Sequence, residues 1–369
     1  MILTANPREQ YISHKEEIDA AIQKVLSGGW YILGNEVSSF EQEFAQFTGS
    51  AFGVGVASGT DAVFLALKAI GIEQGDEVIT VSHTATATVA AVVAAGATPV
   101  FVDIDSETYT LYPKLLEKNI TARTKAVIPV HIYGQPAELD RILETAKKHS
   151  LRVIEDCCQA HGAQFQGKPV GSFGDMGCFS FYPTKNLGGV GDGGMVVTSD
   201  AELNAKLKLL RLYGWKERYS SDIFGYNSRL DEIQAAILRV KLKTLNKDNN
   251  ARRYLAELYS AGLKDTGDLI LPLEADYARH VYHLYVVRTS KRDALMDYLK
   301  ANGVLCGIHY PVPVHEQKAF IELSRGGEKL KNTDLAKDRI LSLPLYPELS
   351  EKSVEKVISL IKKFYAGKS

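Results

Sequence analysis

Lys185 lies in SFYPTKNLGGVGDGG (Ser180–Gly194), between an apolar run and a glycine-rich loop. That setting strips water from an amine and lowers its pKa, which a lysine needs to form a Schiff base with a carbonyl. Asp156 closes the run RVIED (Arg152–Asp156) and would present a carboxylate at the end of a strand. The turn Ala57–Ala62 (ASGTDA) follows the apolar run Gly53–Val56 and opens a helical pattern, Asp61–Ile70. Gly59 would let a ligand approach the backbone closely, and outward-facing N–H groups make a phosphate cup. Alone, each has an ordinary reading: a solvated lysine, a capping aspartate, a helix N-cap. Together they describe a lysine, an acid and an anion cup that one ligand would unite.

Positioning these residues requires strands that end on one edge of a sheet. Glu77–Val81 (EVITV), Pro99–Asp103 (PVFVD), Ala126–Val130 (AVIPV) and Arg152–Asp156 are short apolar runs without strict alternation, the pattern of strands covered on both faces. Helical spacing fills the gaps at Asp61–Ile70, Thr86–Ala95, Tyr112–Ile120 and Leu139–His149. Strand–helix alternation implies right-handed crossovers and a mostly parallel sheet, with the ligand beyond the carboxyl ends of the strands. A long helix is expected over Asp231–Leu245, with Ser228 before it as a capping residue. The polar run Lys247–Arg253 (KDNNARR) then marks a change, followed by a strand-like run at Val281–Thr289 and helical spacing at Ser290–Gly303 and Lys352–Phe364. The expected division is a large domain over 1–245 and a smaller α+β domain over 246–369.

Two glycine motifs are decoys. GAQFQGK (Gly162–Lys168) approaches a P-loop, but Pro169 stands where Ser or Thr must hold magnesium. Gly189–Gly194 fits GxGxxG but leads into MVVT, a strand rather than the helix that a dinucleotide fingerprint opens. Lys plus Arg total 43 against 44 Asp plus Glu, a net charge of -1, which offers no footprint for nucleic acid or an anionic membrane. Met1–Glu17 lacks the apolar core of a signal peptide, and no stretch suits a bilayer span. Four cysteines, two of them adjacent (Cys157, Cys158), fit reduced thiols in the cytoplasm better than a disulfide framework. No metal-ligand spacing stands out.

Eight segments in order resemble the DegT/DnrJ/EryC1/StrS sugar aminotransferases: GGWYILG (Gly28–Gly34), FEQEFA (Phe40–Ala45), ASGTDA, GATPVFVDID (Gly96–Asp105), PVHIYGQPA (Pro129–Ala137), EDCCQAHGA (Glu155–Ala163), FSFYPTKNLGGVGDGG (Phe179–Gly194) and NSRLDEIQAAIL (Asn227–Leu238). The resemblance runs from about Gln10 to the C-terminus. It implies the aspartate aminotransferase (type I) fold, an α/β architecture, and pyridoxal 5′-phosphate as cofactor. By that resemblance Lys185 would join covalently to the cofactor. Asp156 would pair with the pyridinium nitrogen so that the ring serves as an electron sink. Gln159 would sit near the ring hydroxyl, and Gly59, Thr60 and Ser180 would hold the phosphate. Asn227 would reach the phosphate of a neighbouring subunit, which implies a homodimer with shared active sites. His83 is expected to stack on the cofactor ring.

Relatives with His in place of the lysine are dehydratases; Lys185 puts this chain on the aminotransferase side. The resemblance implies L-glutamate as amino donor and ping-pong kinetics, with His309 and Tyr310 over the cofactor and Tyr31, Tyr182 and Arg229 as further contacts to the acceptor. KNLGGVGDGG, SHTATAT and SRLDEIQAAILRVKL most resemble enzymes that aminate C-3 of a dTDP-linked 3-keto-6-deoxyhexose, giving a 3-amino-3,6-dideoxyhexose. Amination at C-4, amination of a cyclic ketone such as an inosose, and a cofactor-binding regulator are the competing readings. Retention of Lys185, Asp156 and Gln159 argues against the regulator.

Overall fold

The computed structural model describes residues 1–327 and 330–367. Seven strands build the main sheet: β1 (Phe52–Val56), β2 (Glu77–Val81), β3 (Thr98–Val102), β4 (Thr124–Val127), β5 (Arg152–Asp156), β6 (Met176–Ser180) and β7 (Gly194–Thr198). Their spatial order is β1-β7-β6-β5-β4-β2-β3. The pairs β2–β3, β2–β4, β4–β5 and β5–β6 are parallel, whereas β7 runs antiparallel to both β1 and β6. All five residues of β2, β6 and β7 are buried, because helices cover both faces. One face packs Val54, Val78, Ile154 and Val196 against Leu65, Ala66 and Ala91. The other divides between a layer with Ile79, Val127 and Ile142 and an aromatic layer with Phe40, Phe44, Phe179 and Phe181.

A second core forms where strands β8 (Tyr285–Arg288) and β9 (Ile340–Leu343) pair antiparallel. Helices Leu245–Leu263, Arg292–Ala301 and Glu351–Tyr365 bury Tyr259, Leu299 and Val357 against Tyr285 and Leu341. The C-terminal part also reaches back onto the main sheet. Arg325 bonds both carboxylate oxygens of buried Glu77, which Arg123 meets from the other side.

Four local expectations are corrected. The helix expected at Tyr112–Ile120 is two short 3₁₀ turns, Pro113–Leu115 and Glu117–Asn119, and the Asn119 amide bonds back to the Leu115 carbonyl. Such local side-chain bonds compete with a helix this short. The strand expected over Ala126–Val130 is Thr124–Val127. Pro129 has no N–H to continue the ladder, although the Pro129 carbonyl still accepts from Asp156 N. The polar run KDNNARR does not loosen the chain. It lies inside helix Leu245–Leu263, where Asn249 bonds the His161 carbonyl and Asn186, and Arg252 bonds the Leu345 carbonyl at 3.0 Å. Ser228 does not cap the helix beyond it, which begins at Glu232 after Asp231. It braces the turn that opens helix Gly59–Ala69 instead, donating to Asp61 Oδ2 at 2.6 Å and accepting from Ala57 N at 3.0 Å.

The loop Gly28–Gly34 is fixed by one carboxylate. Glu232 accepts from the amides of Gly34, Glu36 and Val37 at 2.8–2.9 Å, capping helix Asn35–Thr48 where Gly34 has no side chain to do so. Helix Glu232–Leu242 therefore holds the segment carrying Trp30 and Tyr31, both of which stay exposed.

Candidate active site

Parallel strands β2, β4, β5 and β6 finish side by side, and their following loops enclose a cavity of about 240 Å³. It is lined by Gly59, Thr60, Asp156, Gln159, Ser180 and Lys185 among others. A larger hollow of about 660 Å³ lies beside Trp30, Gly34 and Glu232, but the reactive residues line the smaller one.

Helix Gly59–Ala69 points its N-terminus at this cavity, with Ser58 as N-cap: its hydroxyl accepts from Asp61 N at 3.1 Å. The amides of Gly59 and Thr60 have no partner among the described residues, as expected for a helix start. Close approach explains two glycines. A Cβ on Gly59 would lie 2.5 Å from Ser180 Cβ, and one on Gly194 would lie 2.2 Å from the Ser58 carbonyl oxygen. Gly194 thus lets the strand after the lysine loop press against the cup. Lys241 steadies the same loop by donating to the Gly188 carbonyl.

Asp156 is buried at the end of β5. Its Oδ2 accepts from Thr88 Oγ1 at 2.7 Å, and its Oδ1 accepts from Cys158 N at 3.1 Å. Thr88 spends its one proton on Asp156, so Thr84 Oγ1, 2.9 Å away, is the donor to Thr88. The carboxylate is therefore held from two elements, and its remaining acceptor capacity faces the cavity. Beneath it, buried Glu155 accepts from the amides of Gly171, Phe173 and Gly174 and pairs with His131, which fixes the strand end.

Lys185 is half-buried because its surface opens onto the cavity. Burial pushes its amine below the ordinary lysine value, against the opposing pull of Cys158 and Asp156. The imidazoles nearby stay neutral: burial and then the Lys185 charge drive His161 down to about 3, and the same two causes lower His283 and His309. These three imidazoles thus add no positive charge beside the amine near neutral pH, and the nearby cation is the buried Arg252 guanidinium.

The structure gathers Gly59, Thr60, Asp156, Gln159, Ser180, Tyr182 and Lys185 around one space. Gln159 donates to Tyr310 Oη at 2.9 Å, which brings the C-terminal segment to the rim, and His309 bonds Ser342 Oγ through Nδ1 at 2.9 Å. His83, expected to stack on the cofactor ring, is not among the residues that line the cavity. It is buried behind the wall against Tyr109 and Tyr133, and burial lowers its pKa to about 4; Thr84 and Ala85 occupy the wall instead. Tyr31, Asn227 and Arg229 also stand away from it. Tyr31 and Asn227 are exposed, and the Arg229 guanidinium lies 5.7 Å from the Tyr213 ring centre. Sequence reasoning missed Thr88 and Tyr133. The first had a visible signal, a hydroxyl in the otherwise apolar run TVAAVVAA.

An N-terminal anion cup, a buried acid and a desolvated lysine around one cavity suit pyridoxal 5′-phosphate: an anionic tail, a basic ring nitrogen and an aldehyde. With a mixed, mostly parallel sheet beneath them, they define a pyridoxal-phosphate-dependent aminotransferase. The profile of the DegT/DnrJ/EryC1/StrS aminotransferase family matches residues 12–362, and the chain belongs to that family. It is 47% identical to the UDP-N-acetyl-3-dehydro-alpha-D-glucosamine 3-aminotransferase of Acidithiobacillus ferrooxidans, over 98% of this chain and 97% of that one. It is 45% identical to the dTDP-3-amino-3,6-dideoxy-alpha-D-galactopyranose transaminase of Aneurinibacillus thermoaerophilus, over 99% of each. The crystal structure of S. venezuelae DesV matches with a TM-score of 0.96 at 44% identity, covering 99% of this chain and 98% of that one.

Thr88→Val keeps the shape of the side chain and removes its donor to Asp156. Affinity for pyridoxal 5′-phosphate should fall roughly ten- to a hundredfold, the loss of one hydrogen bond to a charged group. Fluorescence titration of the cofactor-free protein measures this. Unchanged affinity would show that Asp156 is positioned without Thr88.

Proposed function

We infer that this chain is a nucleotide-sugar aminotransferase that installs an amino group at C-3 of a nucleotide-linked keto sugar. The observation that carries this is Lys185 on a wall shared with Asp156 and the Gly59–Thr60 cup, in a chain close to 3-aminotransferases along its whole length. We propose L-glutamate as donor and a 3-keto-6-deoxyhexose carried on dTDP as acceptor.

Bound in the cavity, the cofactor supplies an electron sink that stabilises negative charge at the carbon losing its proton. The placement of the chain's residues supports the following roles. Lys185 Nζ would anchor the cofactor covalently, and its amine would hold and return the proton that the donor carbon loses. Burial suits it to both tasks, because an amine held below its ordinary pKa releases a proton more readily than an exposed lysine. Asp156, backed by Thr88, would hold a proton on the ring nitrogen. Gly59, Thr60 and Ser180 would hold the phosphate, and Gln159 would meet the ring edge. Tyr182 lines the cavity, and His309 and Tyr310, tied to its rim through Gln159, would border the space left for the sugar.

The functional unit we propose is a homodimer. Trp30, Tyr31, Tyr219 and Phe224 are exposed aromatic side chains, Phe224 at 81%, a composition suited to an interface. Asn227 follows Phe224 on the same exposed segment and would reach a neighbour's phosphate. No helix among the described residues is long and apolar enough to cross a membrane, and the four free cysteines support a reducing, cytoplasmic setting. We propose the division into a large domain over 1–245 and a smaller one over 246–369, which the separate core around β8 and β9 supports.

Incubation with nucleotide-linked 3-keto and 4-keto sugars plus glutamate tests the acceptor. The 3-keto sugar should yield aminosugar and 2-oxoglutarate, read by mass spectrometry; product from the 4-keto sugar alone would overturn the assignment. The shared site has its own check. Lys185→Ala and Asn227→Ala proteins should each be weak, and re-paired subunits should recover roughly a quarter of wild-type activity, because half the dimers are hybrids with one intact site. No recovery on mixing would contradict a site built from two subunits.

A further inference from the structure

Tyr133 occupies a position that the reaction scheme above does not use. It is buried, and its backbone has φ 59° and ψ 1°, the left-handed region that a bulky side chain rarely adopts. Such a conformation persists only where the surroundings over-determine it. Here two groups of Tyr133 are engaged at once. Its N–H donates to Gln159 Oε1 at 2.7 Å, and its hydroxyl donates to the His309 carbonyl. Gln159 Nε2 then donates to Tyr310 Oη at 2.9 Å. These bonds close a circuit: Tyr133 to His309, along the chain to Tyr310, across to Gln159, and back to Tyr133.

Proton counting fixes the direction of the circuit's outer arm. A phenol has one proton, and the His309 carbonyl can only accept, so the proton of Tyr133 is committed there. His83 Nε2 lies 2.6 Å from the same phenol oxygen and must therefore be the donor. This requires the Nε2–H form of His83. Burial, which lowers its pKa to about 4, keeps that ring neutral. His83 comes from the loop after β2, Tyr133 from the loop after β4 and Gln159 from the loop after β5, whereas His309 and Tyr310 belong to the C-terminal part.

We propose that Tyr133 is a positioning residue, a clasp in which His83 Nε2–H donates to Tyr133 and Tyr133 donates to the His309 carbonyl, so that Tyr310 is seated on Gln159 at the cavity wall. The proposal rests on the reading of this cavity as the aminotransferase site. The clasp sets where the C-terminal segment stands relative to bound sugar; it does not touch the reacting atoms. Its loss should weaken sugar binding more than it slows the proton transfers at Lys185.

Three variants of the cofactor-loaded enzyme test it: Tyr133→Phe, His83→Leu and His83→Gln. The last keeps an N–H donor near the place of Nε2. Tyr133→Phe and His83→Leu should speed amide hydrogen exchange in residues 307–312, with the strands of the main sheet unchanged. Both should raise KM for the keto sugar about tenfold while kcat stays within threefold, the loss expected for one neutral hydrogen bond. His83→Gln should restore both readouts to near wild type. Tyr133→Phe with unaltered exchange and KM, or with exchange raised equally throughout the chain, would overturn the clasp. A wild-type chain that makes no aminosugar would instead overturn the reading of the site, and hydrogen exchange would still decide the clasp.

Discussion

Keeping a lysine amine out of water, on the same cavity wall as a buried carboxylate, is the constraint around which this molecule is arranged. Burying charge is costly unless it is matched or shed. Three features meet that cost together. The amine is moved below its ordinary pKa, the surrounding imidazoles of His161, His283 and His309 stay uncharged, and Asp156 is held by Thr88 and the Cys158 amide. The sheet makes this possible. Its central strands are buried on both faces, so their ends can carry polar residues into a space shielded by helices. Glu155 shows how far the support extends, since three backbone amides and His131 are committed to one carboxylate beneath Asp156.

Much of this was legible in the sequence because the signals were local. Short apolar runs named most of the sheet, and the lysine loop, the RVIED strand and the ASGTDA turn named residues that the fold gathers around one cavity. What escaped was tertiary. Ser228 looks like a helix cap, yet it binds Asp61 and Ala57, 167 and 171 positions earlier. KDNNARR reads as a polar run marking a change of domain, yet Asn249 and Arg252 find buried partners that only the fold supplies. His83 reads in the sequence as a ring that could stack on the cofactor. It lies behind the wall because Tyr133, fifty residues on, offers it a hydrogen-bond partner. Periodicity carries no trace of such pairings.

The glycine-rich loop and the anion cup act as one device. Gly59 and Gly194 are small for steric reasons, each facing atoms closer than a side chain tolerates. The lysine loop thereby closes on the helix start, and the same helix end that would hold a phosphate is braced by Ser228 from the segment leading into helix Glu232–Leu242. That helix also supplies Glu232 to the loop Gly28–Gly34. One element thus couples the cofactor side of the site to the exposed aromatic segment where a second subunit is proposed to meet it.

Borohydride reduction followed by peptide mapping addresses the central claim most directly. The protein loaded with pyridoxal 5′-phosphate should turn yellow, and reduction should leave one pyridoxyl group on the peptide containing Lys185, absent in Lys185→Arg. A chain that stays colourless with the cofactor, or that carries the reduced group on another lysine, would contradict the account.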